Sequence, residues 1–171
     1  MPPLQSTIAA DIPWGVIGEL AFEGPLNAAP ARLVADGTIG RFFTRDANGD
    51  AVQGGTGALL GVLANPKVYA NRSGLLENAN FVVSANSIGE FVEKTPGIWV
   101  NLTGPNPIKV GMKVAYITAT GVLTAYDQSG TLPGGSVEIP GAVVVRYNST
   151  PAANLACIAL NGPVAVPTAP L

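Results

Sequence analysis

Three oxygen-bearing side chains stand at alternate positions in the segment Asp46-Ala-Asn-Gly-Asp50. Asp46, Asn48 and Asp50 have the spacing that opens a calcium-binding loop, in which carboxylate and amide oxygens ligate the ion. Such a loop needs a bidentate glutamate at its twelfth position, where this chain has Gly57. A tight turn at Asn48-Gly49 explains the same residues, because both tolerate a positive φ. The sequence therefore predicts a turn here and no bound metal.

The glutamates offer no pair for general acid/base chemistry. Glu90 and Glu93 are three residues apart, so on a strand they would face opposite sides of the sheet. Glu19 and Glu23 could share a face, but at about 3.3 Å per residue they would stand roughly 13 Å apart. Paired carboxylates in glycoside hydrolysis are separated by ~5–9.5 Å. We predict no catalytic residue among these side chains.

The other usual catalytic and metal-binding residues are scarce. The chain has no histidine, which excludes a Ser-His triad, and one cysteine, which cannot build a zinc site alone. Cys157 lies in the apolar run 155–160, which predicts a buried, inert thiol. Gly55 and Gly57 imitate a dinucleotide-binding fingerprint, but Leu60 stands where its third glycine is required. We therefore expect neither an enzyme nor a cofactor.

Charge is sparse along the 171 residues. Only 12% of them are charged and 47% are hydrophobic, whereas about 25% charged is usual for a soluble domain. Such a composition favours burial against partners, and we expect a homodimer or homotrimer. The nine basic residues are scattered, which argues against nucleic acid as a partner. No segment resembles a signal peptide or a membrane span, so we expect synthesis in the cytoplasm and no membrane partner.

Short apolar segments separated by turn residues run through most of the chain. No window longer than about ten residues shows a sustained helical period. Short strands at spacings of about 8–12 residues are typical of sandwiches and barrels. The sequence therefore predicts an all-β protein, with one β-sandwich or barrel-like domain over residues 14–160. The predicted strands are 14–22, 39–45, 58–64, 80–84, 89–93, 98–102, 111–117, 121–125, 141–147 and 155–160.

Both ends of the chain differ from this domain. Residues 1–13 are interpreted as an extended arm and residues 161–171 as an extended Pro-rich tail, because prolines remove backbone donors and favour extended chain. Apolar side chains on such segments suggest docking onto a neighbouring subunit, and disordered ends are the alternative. The candidate contact residues, on the two ends and at the first residue of the domain, are Leu4, Ile8, Ile12, Trp14, Val164, Val166 and Leu171.

Several strand and turn segments carry a family resemblance. They are residues 14–22, 34–50, 61–66, 110–117 and 141–160. Together they resemble the capsid cement, or decoration, proteins of tailed bacteriophages. The resemblance implies a non-enzymatic β-rich protein on the outside of an icosahedral head, made in the bacterial host cytoplasm. Its implied partners are the major capsid protein and further copies of itself, and its implied role is to cement neighbouring capsid subunits.

Three other functions remain as alternatives at this point. Another virion component, such as a tail-tube or fibre-associated β domain, would form rings or fibres without capsids. A carbohydrate-binding β-sandwich would show exposed aromatic side chains for sugar stacking, and aromatic residues are only 6% of this chain. An unrecognised hydrolase would need polar groups that converge in a pocket.

Overall fold

The computed structural model describes residues 15–65, 82–105, 107–147 and 154–161. Within these ranges the chain forms strands and turns but no helix, and so no helix that could cross a membrane. The all-β prediction is confirmed. The strands are β1 (Asn27–Arg32), β2 (Gly37–Thr38), β3 (Phe42–Arg45), β4 (Ala51–Gln53), β5 (Ala58–Leu63), β6 (Val82–Val83), β7 (Ile88–Thr103), β8 (Lys113–Ile117), β9 (Leu123–Tyr126), β10 (Ser136–Tyr147) and β11 (Leu155–Asn161).

Five of these strands close into a barrel. The ring runs β7–β11–β10–β8–β9 and returns to β7. Its pairings are antiparallel except the last, where β9 runs parallel to β7 and Leu102 lies beside Leu123. A closed ring leaves no strand edge unpaired. Of the two architectures that the sequence left open, the structure therefore has the barrel-like one.

β7 belongs to the barrel and to a second, open sheet. Its first half pairs with β1 and β5, and β3 and β4 extend the sheet beyond β5. The sequence predicted two strands here, separated at Pro96-Gly97, but the chain continues as one strand. The Thr95 hydroxyl accepts a hydrogen bond from the Gly97 N–H at 3.2 Å and also lies 3.3 Å from the Gly97 carbonyl oxygen. The Thr95 side chain therefore contacts the main-chain groups of Gly97, next to Pro96, which has no N–H to donate to a neighbouring strand.

The open sheet separates two apolar cores. Successive residues of a strand face opposite sides, so neighbouring apolar residues enter different cores. Phe42 points toward the barrel core and stacks on Tyr116, with ring centroids 4.6 Å apart. Phe43 points the other way and packs against Phe91 at 5.0 Å. Because both faces are covered, β5 (Ala-Leu-Leu-Gly-Val-Leu) is apolar along its whole length instead of alternating, and β3 begins with two adjacent buried phenylalanines.

β1 was not among the predicted strands and forms an edge of the open sheet. Pro30 lies opposite Glu90 of β7. The Glu90 carbonyl accepts a hydrogen bond from the Ala64 N–H, on the β5 side. The main-chain N–H and carbonyl of Glu90 therefore point away from β1. The N–H that Pro30 lacks would face the outer edge of β1, so the proline costs no hydrogen bond between β1 and β7.

Candidate functional site

The turn at Asn48-Gly49 uses the oxygens that suggested calcium. One carboxylate oxygen of Asp46 accepts hydrogen bonds from the Asn48 N–H at 2.8 Å and the Asp50 N–H at 2.9 Å. Asp50 pairs with Arg32, and the hydrogen bond from this guanidinium lowers the pKa of the Asp50 carboxyl. Gly49 has a φ of 86°, as the prediction of a tight turn requires. The described residues contain no group of three or more side chains suited to a metal.

Cys157 is buried, as predicted. The thiol is free and fully shielded from solvent, and burial raises its pKa to about 11. A thiol with this pKa stays protonated near neutral pH and is a poor nucleophile. Burial, and after it the neighbouring Glu138 carboxylate, also raises the pKa of the Tyr126 hydroxyl to about 12. Lys113 and Glu138, on the neighbouring strands, form an exposed ion pair at 3.1 Å.

The segment 15–26 covers one side of the barrel. Its main chain follows β7: the Gly18 N–H donates to the Trp99 carbonyl at 2.7 Å, and the Trp99 N–H donates to the Glu19 carbonyl at 2.9 Å. The predicted strand over 14–22 is reduced here to a single bridge between Leu20 and Ile98. The segment is therefore fixed to the barrel through its backbone although it forms no regular strand.

Glycines allow this segment to lie very close to β7. A Cβ atom on Gly97 would lie 2.5 Å from the Phe22 ring and 2.8 Å from the Cys157 sulfur. One on Gly24 would lie 2.7 Å from Pro96. Phe22 thus rests directly on the β7 backbone and packs with Trp99, Leu155 and Cys157 in a small third core. The Arg146 guanidinium lies over the Phe22 ring, 4.9 Å from its centroid.

The outer side of the same segment is apolar as well. Val16, Leu20 and Leu26 are 40%, 45% and 48% exposed, and we call these three residues the apolar strip. Beside it is an open groove of about 400 Å³, whose lining includes Leu20, Ala21, Phe22, Glu23, Leu26 and Thr95. Two carboxylates, Glu19 and Glu23, are the only charges within residues 15–26. The strip and groove form an apolar surface on a segment fixed to the barrel, with Glu23 in the groove lining and the Arg146 guanidinium over the Phe22 ring.

Other exposed apolar side chains are placed elsewhere. Val82 and Ile88, at the start of the second described range, are 45% and 65% exposed, and Val110, beside a turn, is 68% exposed. None of them lines the groove next to the strip. They provide matched positions for testing whether the strip has a special role.

The comparison with protein families identifies the group to which this chain belongs. A family model described as structural cement protein (E217 gp24/Pam3 gp6) matches residues 4–161, which is most of the chain. The chain belongs to this family. It is a structural protein of the phage particle that stabilises the capsid, as the sequence resemblance predicted.

A solved structure supports the fold of this cement protein. A chain in the structure of the capsid of Myoviridae Phage XM1 matches with a TM-score of 0.67 and 16% sequence identity. The match covers 94% of this chain and 98% of that chain. At this identity the likeness shows a shared fold. A search of curated proteins gives no match.

The predicted contact residues of the cement protein lie outside the described residues. They are Leu4, Ile8, Ile12, Trp14, Val164, Val166 and Leu171. Docking through the arm and tail therefore stays a prediction. The sequence interpretation did not single out the apolar strip. The available signal was the run from Val16 to Phe22, in which apolar residues occupy positions on both sides of the segment instead of alternating with polar ones.

Proposed function

We propose that this cement protein binds the outer surface of an icosahedral phage capsid and joins neighbouring major capsid subunits. The observation that carries the proposal is the family match over residues 4–161. A closed barrel with a well-packed interior suits this role, because a rigid body transmits load between the subunits it bridges. Many copies on one head would convert weak individual contacts into strong total binding.

We also propose that the cement protein acts as a homodimer or homotrimer, with the arm and tail in contact with neighbouring subunits. Low charge and exposed apolar side chains support self-association. An oligomer bound across a seam would hold two or more capsid subunits at once. The role needs no chemistry, which agrees with the scarcity of catalytic residue types, and the scattered basic residues give no footprint for nucleic acid.

The test begins with purified virions of the phage that encodes this chain. Mass spectrometry should detect the protein at a fixed copy ratio to the major capsid protein, and labelling should locate it on the head surface. Heads assembled without it should bind the added protein and withstand heat better afterwards. Detection in purified tails alone would favour the tail-tube or fibre alternative and contradict the proposal.

A further inference from the structure

We propose that the tail folds back onto its own domain where it leaves β11, with Val164 in a small apolar crevice between β5 and β10. The inference goes beyond the proposed function, because it assigns the first residues of the tail to the stability of the domain. Only the residues after Val166 then extend toward a neighbouring subunit. The inference concerns the folded protein alone, so it can fail while the proposed function stands.

The end of β11 lies where two strands share one edge of β7. β1 follows the other edge from Ile88 to Lys94. On the shared edge β5 pairs with β7 at Val92, and β11 ends with Asn161 opposite Lys94. Glu93 separates these two pairings, so β5 occupies the place into which β11 would continue. The chain after Asn161 therefore has to leave the sheet at this point.

The gap between β5 and β11 opens into the crevice. Asn161 and Glu93 belong to its lining, and the other lining residues are apolar and include Leu59, Ile139 and Pro140. Its free volume of about 20 Å³ suits the end of one aliphatic side chain or one water molecule. The apolar lining favours the side chain, because a water molecule needs two or more polar partners.

Both polar side chains of the lining are already held by other groups. The Glu93 carboxylate accepts a hydrogen bond from the Asn27 amide at 2.7 Å. The Asn161 amide donates to the Gly141 carbonyl at 2.6 Å, and a Cβ on Gly141 would lie 3.2 Å from the Asn161 Cβ. These contacts hold the last residue of β11 against β10. They also give each polar side chain a partner, so an apolar occupant leaves neither one unsatisfied.

The first tail residues match the crevice in reach and in chemistry. Residues 162–166 are Gly-Pro-Val-Ala-Val and carry no charged side chain. Three residues of extended chain span at most about 11 Å, so Val164 stays close to Asn161, which lines the crevice. Gly162 tolerates the backbone angles of a sharp turn out of the sheet. A second copy would have to compete with a tethered segment, whose effective concentration is in the millimolar range.

Disulfide trapping in the full chain tests this placement directly. Cys157→Ala removes the native thiol, and Leu59→Cys with Val164→Cys places two thiols at the crevice. A disulfide forms when the two Cα atoms are about 4.4–6.8 Å apart. We expect mild oxidation to cross-link most molecules within one chain, as non-reducing gels and peptide mass spectrometry would show.

The control moves one thiol away from the crevice. Ile88 is 65% exposed and lies six residues before Lys94, which is about 20 Å along β7. A thiol at position 164, tethered to Asn161 opposite Lys94, does not reach that far. Ile88→Cys with Val164→Cys, also combined with Cys157→Ala, should therefore form no disulfide within one chain.

Every other result of the trapping experiment contradicts the inference. Absence of a disulfide in the crevice pair would show that the tail leaves the domain elsewhere. A disulfide that joins two chains in that pair would show that the occupant is the tail of a second copy. Equal cross-linking of the crevice and control pairs would show that the tail has no fixed place.

A second measurement decides the question if the cysteine variants do not fold. Val164→Asp puts a charge where the crevice is apolar and should lower the melting temperature by about 2–4 °C, the shift expected when one small apolar contact is lost in a chain of this length. Thr168→Asp adds the same charge farther along the tail and should leave the melting temperature unchanged. Equal melting temperatures of the two variants would overturn the inference, and the proposed function would still stand.

Discussion

The two halves of β7 lie in different surroundings. The second half is part of a closed five-stranded barrel, in which every strand has a neighbour on each side. The first half is part of an open sheet that ends at β1 on one side and at β4 on the other. Closure removes unpaired edges without further devices, whereas an open sheet has to protect them.

Both edges of the open sheet are protected. β4 is only three residues long, and the chain at Leu33 and Val34 covers it, with the Val34 N–H donating to the Ala51 carbonyl at 3.1 Å. On β1, Pro30 removes one donor from the outer edge. These features oppose association through added strands.

The largest expected effect comes from Tyr116→Ala, which removes the aromatic contact between the barrel and the open sheet. Tyr116 is 1% exposed, stacks on Phe42 of β3 and donates a hydrogen bond to the Gly55 carbonyl at 3.2 Å. We expect a loss of ~3–5 kcal/mol in the free energy of unfolding, as for other buried aromatic truncations. Chemical denaturation measures it. Tyr116→Phe keeps the ring and should cost only about 1 kcal/mol, so equal losses would show that stacking is unimportant.

Gly61→Ala should destabilise the open sheet, which contains the first half of β7, more than the barrel, which contains the second half. Gly61 has a φ of 144°, and an added Cβ would collide with the Val92 carbonyl oxygen of β7. We expect a cost of about 1–3 kcal/mol, with faster amide hydrogen exchange in β3 and β5 than in β8 to β11. Gly49→Ala is the control, because its φ is also positive but its Cβ would meet nothing within 4 Å. Uniformly faster exchange across the barrel would contradict the distinction.

The buried thiol of Cys157, on the barrel strand β11, should make the stability of the protein depend on pH. Burial raises the thiol pKa from about 9 to about 11, so the unfolded chain loses this proton at a lower pH than the folded protein does. Stability should therefore fall as pH rises from about 9, and this contribution should level off above about 11. Denaturation of the protein and of Cys157→Ala at several pH values gives the difference. Parallel pH profiles would mean that the thiol is exposed to water in the folded state.

The smallest effect should come from the ion pair at the margin of the open sheet. Arg32 of β1 pairs with Asp50 beside β4, and Arg32 is 54% exposed, so solvent screens their attraction. Because the pair lowers the Asp50 pKa, its contribution exists at neutral pH and disappears in acid. Arg32→Gln should lower the melting temperature less than Gly49→Ala does at pH 7, and not at all in acid. A larger loss than that of Gly61→Ala would show that this edge is held mainly by charge.

The sequence by itself determined the features that depend on local patterns and residue types. Short apolar runs without a helical period predicted the all-β class, Asn48-Gly49 predicted a tight turn, and the apolar surroundings of Cys157 predicted its burial. The family was also recognisable from strand and turn segments. These properties follow from neighbours along the chain, which the sequence displays directly.

Only the tertiary structure decided which strands meet and which apolar residues remain outside. Pro96-Gly97 signals a break locally, yet β7 continues because β11 pairs with it on both sides of this point and Thr95 bonds across it. The same holds for Phe42 and Phe43, whose separate cores depend on distant partners. Leu20 is as apolar as a core residue and is exposed because the barrel occupies the other side of its segment. Burial is a property of the surrounding fold, and partners remote in sequence determine it.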